Sequence, residues 1–245
     1  MNCRFLTFFT AGFFLSAAQY GFGQTKIDIT LSGGVGVPTG SFASGRQNYL
    51  YADGHGKTTG LAKPGGSVEL SMAYRCSHNI ALDLLVSGTE NKVDASAFQN
   101  NLKNLYATSD NYTVSVNSWK ILRVMVGVDK IIVVSSNRNI FLYPKLLLGV
   151  QKTSIPAYSY INTTNFSEAG QQDKVSLPAQ ICIGLGSDVS FNLSKMVFLN
   201  IDLNYLYAAG AKGTKSHDYS GSSFTTTNNV PVSAINLLLG IGFHL

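Results

Sequence analysis

Charge is what this sequence has least of. Asp, Glu, Lys and Arg make up 13% of its 245 residues, about half the roughly 25% usual in soluble proteins. A chain so poor in charge either hides a large apolar core or faces lipid. Its formal net charge of +5 is spread along the chain. That argues against the clustered Lys/Arg stripe needed to displace counter-ions from nucleic-acid phosphates. Cysteine is also scarce, with three residues, and no Cys/His spacing resembles a zinc site. Long apolar runs are missing too: past the N-terminus none could cross a bilayer as a helix.

The N-terminus is the exception. MNCR supplies one Arg, FLTFFTAGFFLSAA is a short apolar run, and small residues follow. This is the grammar of a secretory signal peptide, and the run is short for a spanning helix. The expected organisation is a signal peptide over residues 1–23, cleaved after Gly23 or after Ala18, and one mature domain over 24–245. Cys3 lies ahead of the apolar run, so a lipidated N-terminal cysteine is not expected. Export would leave Cys76 and Cys182, which fall on different faces in the strand reading below. Both are read as small packing residues rather than as a disulfide.

What the chain does have is glycine (24), tyrosine (12), phenylalanine (14) and repeated period-two alternation. In KIDITLSGGVGV, Ile27, Ile29, Leu31, Val35 and Val37 oppose Asp28, Thr30 and Ser32. In GSVELSMAYR, Val68, Leu70, Met72 and Tyr74 oppose Glu69 and Arg75. NIALDLLVSG sets Ile80, Leu82, Leu84 and Val86 against Asp83. SVNSWKILRVMVGVD sets Val116, Leu122, Val124, Val126 and Val128 against Trp119, Arg123 and Asp129. IFLYPKLLLGV places Lys145 opposite Leu146 and Leu148. LPAQICIGLGSDVS places Leu177, Ile181, Ile183 and Leu185 opposite Gln180, Cys182 and Asp188. VFLNIDLNYLY places Val197, Leu199, Ile201, Leu203, Tyr205 and Tyr207 opposite Asn200, Asp202 and Asn204. SAINLLLGIGFHL is the eighth such segment. IIVV, which follows the fourth, is read as a prolongation past a bulge.

Each segment has the roughly ten residues that a tilted strand needs to cross a bilayer. Short connections around CSHN (76–79), 129–139 and NLSK alternate with four polar stretches of about 25 residues, 38–63, 89–113, 152–176 and 208–232. Strict alternation of short and long connections follows if strands run up and down across a membrane. A soluble sandwich has no reason for it. The expected fold is therefore all-β: an eight-stranded antiparallel up-and-down transmembrane β-barrel with short periplasmic turns and four long outer loops.

The polar face then points inward, because each Arg or Lys on the lipid face near the midplane would cost about 2–4 kcal/mol. Its expected lumen network is Asp28, Glu69, Arg75, Asp83, Arg123, Lys145, Asp188 and Asp202. Charges inside a barrel this narrow must pair, which makes a salt-bridged plug the reading favoured over a gated polar path. Among aromatics near strand ends, Tyr112, Tyr158, Tyr205 and Tyr207 are expected to anchor at lipid headgroups. Loop cations such as Lys63, Lys103 and Lys152 would face anionic lipopolysaccharide.

In this pattern the chain resembles the small eight-stranded outer-membrane barrels of the OmpA/OmpX-like kind, over residues 26–245. The resemblance implies a place in the outer membrane of a Gram-negative envelope and contact with outer-membrane lipids and the assembly machinery. It also implies that the last strand is the assembly signal, here Leu237, Leu239, Ile241, Phe243 and Leu245. The terminal residue is Leu where such barrels commonly carry an aromatic. Nothing suggests the peptidoglycan-binding domain of some relatives.

Catalysis needs a nucleophile, a base and an orienting acid within reach. His55 and His217 fall in separate outer loops, and His78 and His244 at the opposite edge. Loop DGHGK (53–57) is ordinary loop composition, and the glycines Gly184 and Gly186 are followed by no helix. No catalytic residue, cofactor, metal or nucleic-acid partner is expected. The leading function is a non-catalytic, envelope-structural or surface-binding barrel with a plugged lumen, its loop ligand unidentified. A small passive channel or uptake porin is the alternative, and a lipid-modifying enzyme a lesser one.

Overall fold

The computed structural model describes residues 27–44, 60–77, 79–105, 108–137, 139–164, 166, 169–219 and 222–245. The expected signal peptide, the loop 53–57 with His55, and His78 lie outside the described residues, as does the side chain of His217. In chain order the strands are β1 (Ile27–Pro38), β2 (Ala62–Arg75), β3 (Ile80–Val93), β4 (Tyr112–Val116), β5 (Trp119–Lys130), β6 (Ile132–Val133), β7 (Ile140–Ile155), β8 (Tyr158–Asn162), β9 (Ala169–Gln172), β10 (Val175–Ser176), β11 (Gln180–Asn192), β12 (Val197–Tyr219) and β13 (Ser222–His244). Helices cover Gly40–Ala43 and Ala95–Leu105.

Eight strands pair in the order β1-β2-β3-β5-β7-β11-β12-β13, each antiparallel to its neighbours, and β13 returns to β1. The barrel is closed and all-β, as the alternation predicts. β5 shows why: from Trp119 to Lys130 buried and exposed residues alternate without a break, so a one-residue slip would turn Arg123 outward. At one level the register runs Leu31–Leu70–Val86–Val124–Val150–Ile181 around six strands, and each side chain is exposed on the outside. So broad an apolar band is not tolerated by a soluble monomer. Pro64, which has no N–H to give a ladder, sits where the β2–β3 register shifts between Ala62 and Gly65.

The short connections lie at one end, between β2 and β3, β5 and β7, and β11 and β12. IIVV does prolong β5, but without the expected bulge: the ladder to β7 pauses opposite Pro144, which has no N–H, and Ile132 and Val133 resume it as β6 against Leu142 and Phe141 in an unchanged register. The other end departs more from expectation, because the described parts of the long connections are largely folded. The 89–113 stretch holds the helix Ala95–Leu105, started by Asp94, whose carboxylate accepts the Ala97 N–H at 3.0 Å. Phe98 and Leu102, four residues apart on that helix, are buried. In 152–176, β8 pairs with β4 and β9 in a separate three-stranded sheet. The 208–232 stretch is a continuation of β12 and β13, which pair from Ala211↔Val230 to Tyr219↔Ser222.

Three face assignments change as a result. Tyr112 and Tyr158 are buried in the cluster formed by these connections instead of anchoring at headgroups, whereas Tyr205 and Tyr207 are exposed on the wall. Val116 leaves the wall with β4, separated from β5 at residues 117–118, and packs against the same cluster. Leu177 lies before β11 begins and is likewise buried there, opposite in exposure to Ile181, Ile183 and Leu185. Cys76 is exposed, Cys182 is buried, and both are free thiols.

Candidate functional site

The barrel interior is stacked in layers: an ionic mouth, an ionic middle, a small apolar cluster of Leu85, Met125, Leu147, Cys182 and Leu206, a polar group around Arg123, and an apolar outer end. At the short-turn mouth, Asp28 of β1 meets both the end of β2 and the end of β13. Arg75 donates to one carboxylate oxygen of Asp28 from Nη2 at 2.7 Å and Nε at 2.9 Å. His244 Nδ1 lies 2.7 Å from the other oxygen, and its Nε2 lies 3.1 Å from Asn192 Oδ1. Phe198 stacks on the imidazole with ring centroids 4.6 Å apart. Backbone bonds between Ile27 and Leu245 finish the seam beside this group.

In the middle layer, Lys145 projects from β7 with a side chain 0% exposed. It reaches Asp188 Oδ1 at 2.8 Å and Asp202 Oδ2 at 3.1 Å. Asp188 and Asp202 are directly paired across β11 and β12, so without the ammonium two carboxylates would face each other inside the barrel. Asp129 pairs with Lys145 in the β5–β7 register, and the charge of Lys145 also reaches Glu69 and Asp83. Five carboxyl groups thus surround one ammonium. Toward the outer end, Arg123 is fully buried, yet it lies against neutral partners. Its Nε donates to Gln151 Oε1 at 2.8 Å and its Nη1 to Thr89 Oγ1 at 3.1 Å. Gln151 in turn binds Thr153 and Gln180.

The outer layer is apolar. Trp119, Ile121, Val93 and Ile155 from the wall join Phe42, Leu61, Phe98, Leu102, Tyr158 and Tyr160 in one buried cluster. Edge-to-face ring pairs run Phe42–Trp119 at 5.3 Å and Phe98–Tyr158 at 5.1 Å. Trp119 Nε1 donates to the Gly60 carbonyl at 2.7 Å, tying the first long connection to the wall. Asp94 borders this cap. Burial raises its pKa, but the Ala97 N–H and the Lys63 ammonium at 3.2 Å outweigh that and hold it below the usual carboxylate value.

Of the eight network residues read from the sequence, the structure brings Lys145, Asp188 and Asp202 into one ion-paired group and Asp28 with Arg75 into another. Glu69 and Asp83 are buried beside the first group without a salt bridge, and Arg123 has no carboxylate within ion-pair distance among the described residues. Asp129, His244 and Gln151 belong to these networks and were not among the eight. The alternation already placed Asp129 on the inner face, and His244 shares parity with Gly240 and Gly242. Leu237, Leu239, Ile241 and Phe243 of β13, and Leu245 just after it, are all exposed on the outer face.

No protein-family model matches the chain, and no curated protein matches it significantly. Solved structures do. A major outer membrane protein from Thermus thermophilus superposes with a TM-score of 0.52 at 13% identity, covering 89% of this chain and 98% of that one. Neisserial surface protein A (NspA) gives 0.50 at 12% identity, covering 91% and 100%. At such identities the likeness is one of fold: the chain has the architecture of the small eight-stranded outer-membrane barrels.

Proposed function

We propose that this is a non-catalytic protein of the outer membrane, its short turns periplasmic and its folded connections outside. In this reading it serves the envelope structurally or binds at the surface through the outer cap, while its lumen is closed. One observation carries the reading: Lys145 is fully buried between Asp188 and Asp202 in the middle of the barrel. A conducting path needs hydrated, loosely held charges, whereas these are desolvated and mutually locked, with the apolar cluster above them and the Asp28–Arg75–His244 group below. The non-catalytic part is supported by His244. Its imidazole sits beside an acid, but its other nitrogen faces the amide of Asn192, where a hydrolase would hold a hydroxyl nucleophile. The outer-membrane location is supported by the exposed apolar belt and by the fold.

Planar-bilayer recording of the purified protein tests the closed lumen. The expected result is a silent bilayer at any physiological voltage. Stable ionic steps from the unmodified protein would instead establish the channel reading. Incubation with labelled lipid A tests the absence of catalysis, and release of an acyl chain would overturn it.

A further inference from the structure

A second feature lies outside the lumen, on the wall. A groove of about 680 Å3 crosses β1, β2, β3, β5 and β7 toward the outer end. In the register Gly33 pairs with Val68, Val68 with Gly88, Gly88 with Leu122 and Leu122 with Lys152. The next row outward runs Gly66, Glu90, Lys120, Ser154. The groove starts one row beyond the apolar ring that includes Leu31 and Leu70, so it occupies the edge of the apolar belt, where headgroups lie.

Packing within the protein explains Gly34, whose Cβ would strike the Leu237 backbone, but not the groove's other three glycines. A Cβ on Gly36, Gly65, Gly149, Gly186 or Gly240 would strike a neighbour, and these glycines let strands or side chains approach. At Gly66 a Cβ would meet nothing, at Gly33 its nearest atom would be 4.0 Å away, and at Gly88 3.8 Å. None of the three has positive φ. Glycine in a strand without a steric or conformational demand marks a place where something outside the chain approaches.

The rim is cationic. Lys120 and Lys152 stand on adjacent strands in diagonal register, and Lys92 follows Glu90 on the same face of β3. All three lysines are exposed, and none forms an ion pair among the described residues. With Glu90 as the one acid, the rim carries an excess of two positive charges. A symmetric contact with a second copy would bring this rim against itself, so the complementary occupant is an anion with an apolar tail.

We infer that the groove binds a phosphorylated lipid of the leaflet it faces. The acyl chain lies over Gly33, Gly66 and Gly88 against Val68 and Leu122, and the phosphate sits between Lys120 and Lys152. This rests on the proposal that the wall faces a bilayer. The test is retention of lipid A, compared with its dephosphorylated form, by the full chain in phosphatidylcholine nanodiscs, read by native mass spectrometry. The wild type should retain the phosphorylated form preferentially. Lys120→Gln with Lys152→Gln should weaken that retention roughly thirtyfold, at about 1 kcal/mol per cation near the headgroups. Gly66→Leu, which meets no protein atom, should displace the chain and weaken both lipids. Lys130→Gln, at the opposite end of β5, should change nothing. Equal retention of the two lipids, retention unaffected by the Lys120/Lys152 pair, or disulfide-linked dimers of a Gly66→Cys variant that also carries Cys76→Ser would overturn the site. Heat-modifiable gel migration, scored on the same samples, separates the premises: its absence in the wild type would sink the barrel in a membrane, whereas its presence with no phosphate preference sinks only the groove.

Discussion

The two halves of the lumen are closed by different physics. The short-turn mouth and the level of Lys145 are held by ions, the outer end by aromatic and aliphatic side chains, with the Leu85–Met125–Leu147 cluster and the Arg123 group between them. Ionic filling is all-or-none, since each member left without its partner is a desolvated charge. Apolar filling is graded, since losing a group costs its transfer energy and whatever cavity remains. The ionic half also fixes strand register, because Lys145, Asp188 and Asp202 come from three consecutive strands. The apolar half tolerates irregular connections, which is where the helix and the three-stranded sheet are found.

Substitutions can sharpen or break this contrast. Lys145→Met should have the largest effect, about 3–5 kcal/mol, because it leaves Asp188 and Asp202 facing each other; urea unfolding from lipid vesicles would measure it. Adding Asp188→Asn and Asp202→Asn should recover most of that loss. If the single variant is as stable as wild type, the middle layer is hydrated and the two halves do not differ. Trp119→Phe should cost about 1–3 kcal/mol, chiefly by leaving the Gly60 carbonyl without its donor. The loss should appear as faster amide exchange in the cap, with the barrel strands unchanged. His244→Ala should be milder, about 1 kcal/mol, since Asp28 keeps Arg75; a thermal shift at the seam would report it. Asp94 gives the smallest effect. Its folded pKa is depressed, so its stabilisation of the helix Ala95–Leu105 is fully present above the ordinary carboxylate value and is lost as pH falls through the lower, folded value. The protection factors of that helix's amides, corrected for the intrinsic exchange rate at each pH, should therefore fall on acidification in the wild type, but not in Asp94→Asn.

The wall was legible in the sequence because every strand repeats one instruction. Residues two apart share a face, and only one orientation keeps Glu69, Arg123 and Lys145 out of lipid. The cap was not legible for the opposite reason. Its aromatics come from separate connections at irregular spacing and meet only in three dimensions, so Tyr112 and Tyr158 look like interfacial anchors until the cluster is seen. Phe98 and Leu102 did carry a local helical signal, obscured by the asparagines around them. The ion pairs were legible as a set, but their partners were not. Strand shear decides which cation meets which acid, and it left Arg123 with Gln151 and gave Lys145 two aspartates.

The paired extension of β12 and β13 adds nine residues per strand beyond the barrel, from Ala211↔Val230 to Tyr219↔Ser222, or roughly 30 Å at the usual rise per residue. The strand that returns from its tip is also the one that zips to β1 through eleven paired positions, from Asp28↔His244 to Pro38↔Ala234. A force applied at the tip along the strand therefore loads that ladder in shear, with many bonds bearing it together, rather than peeling them one after another. Mechanically, the ribbon and the barrel wall are a single tensile member.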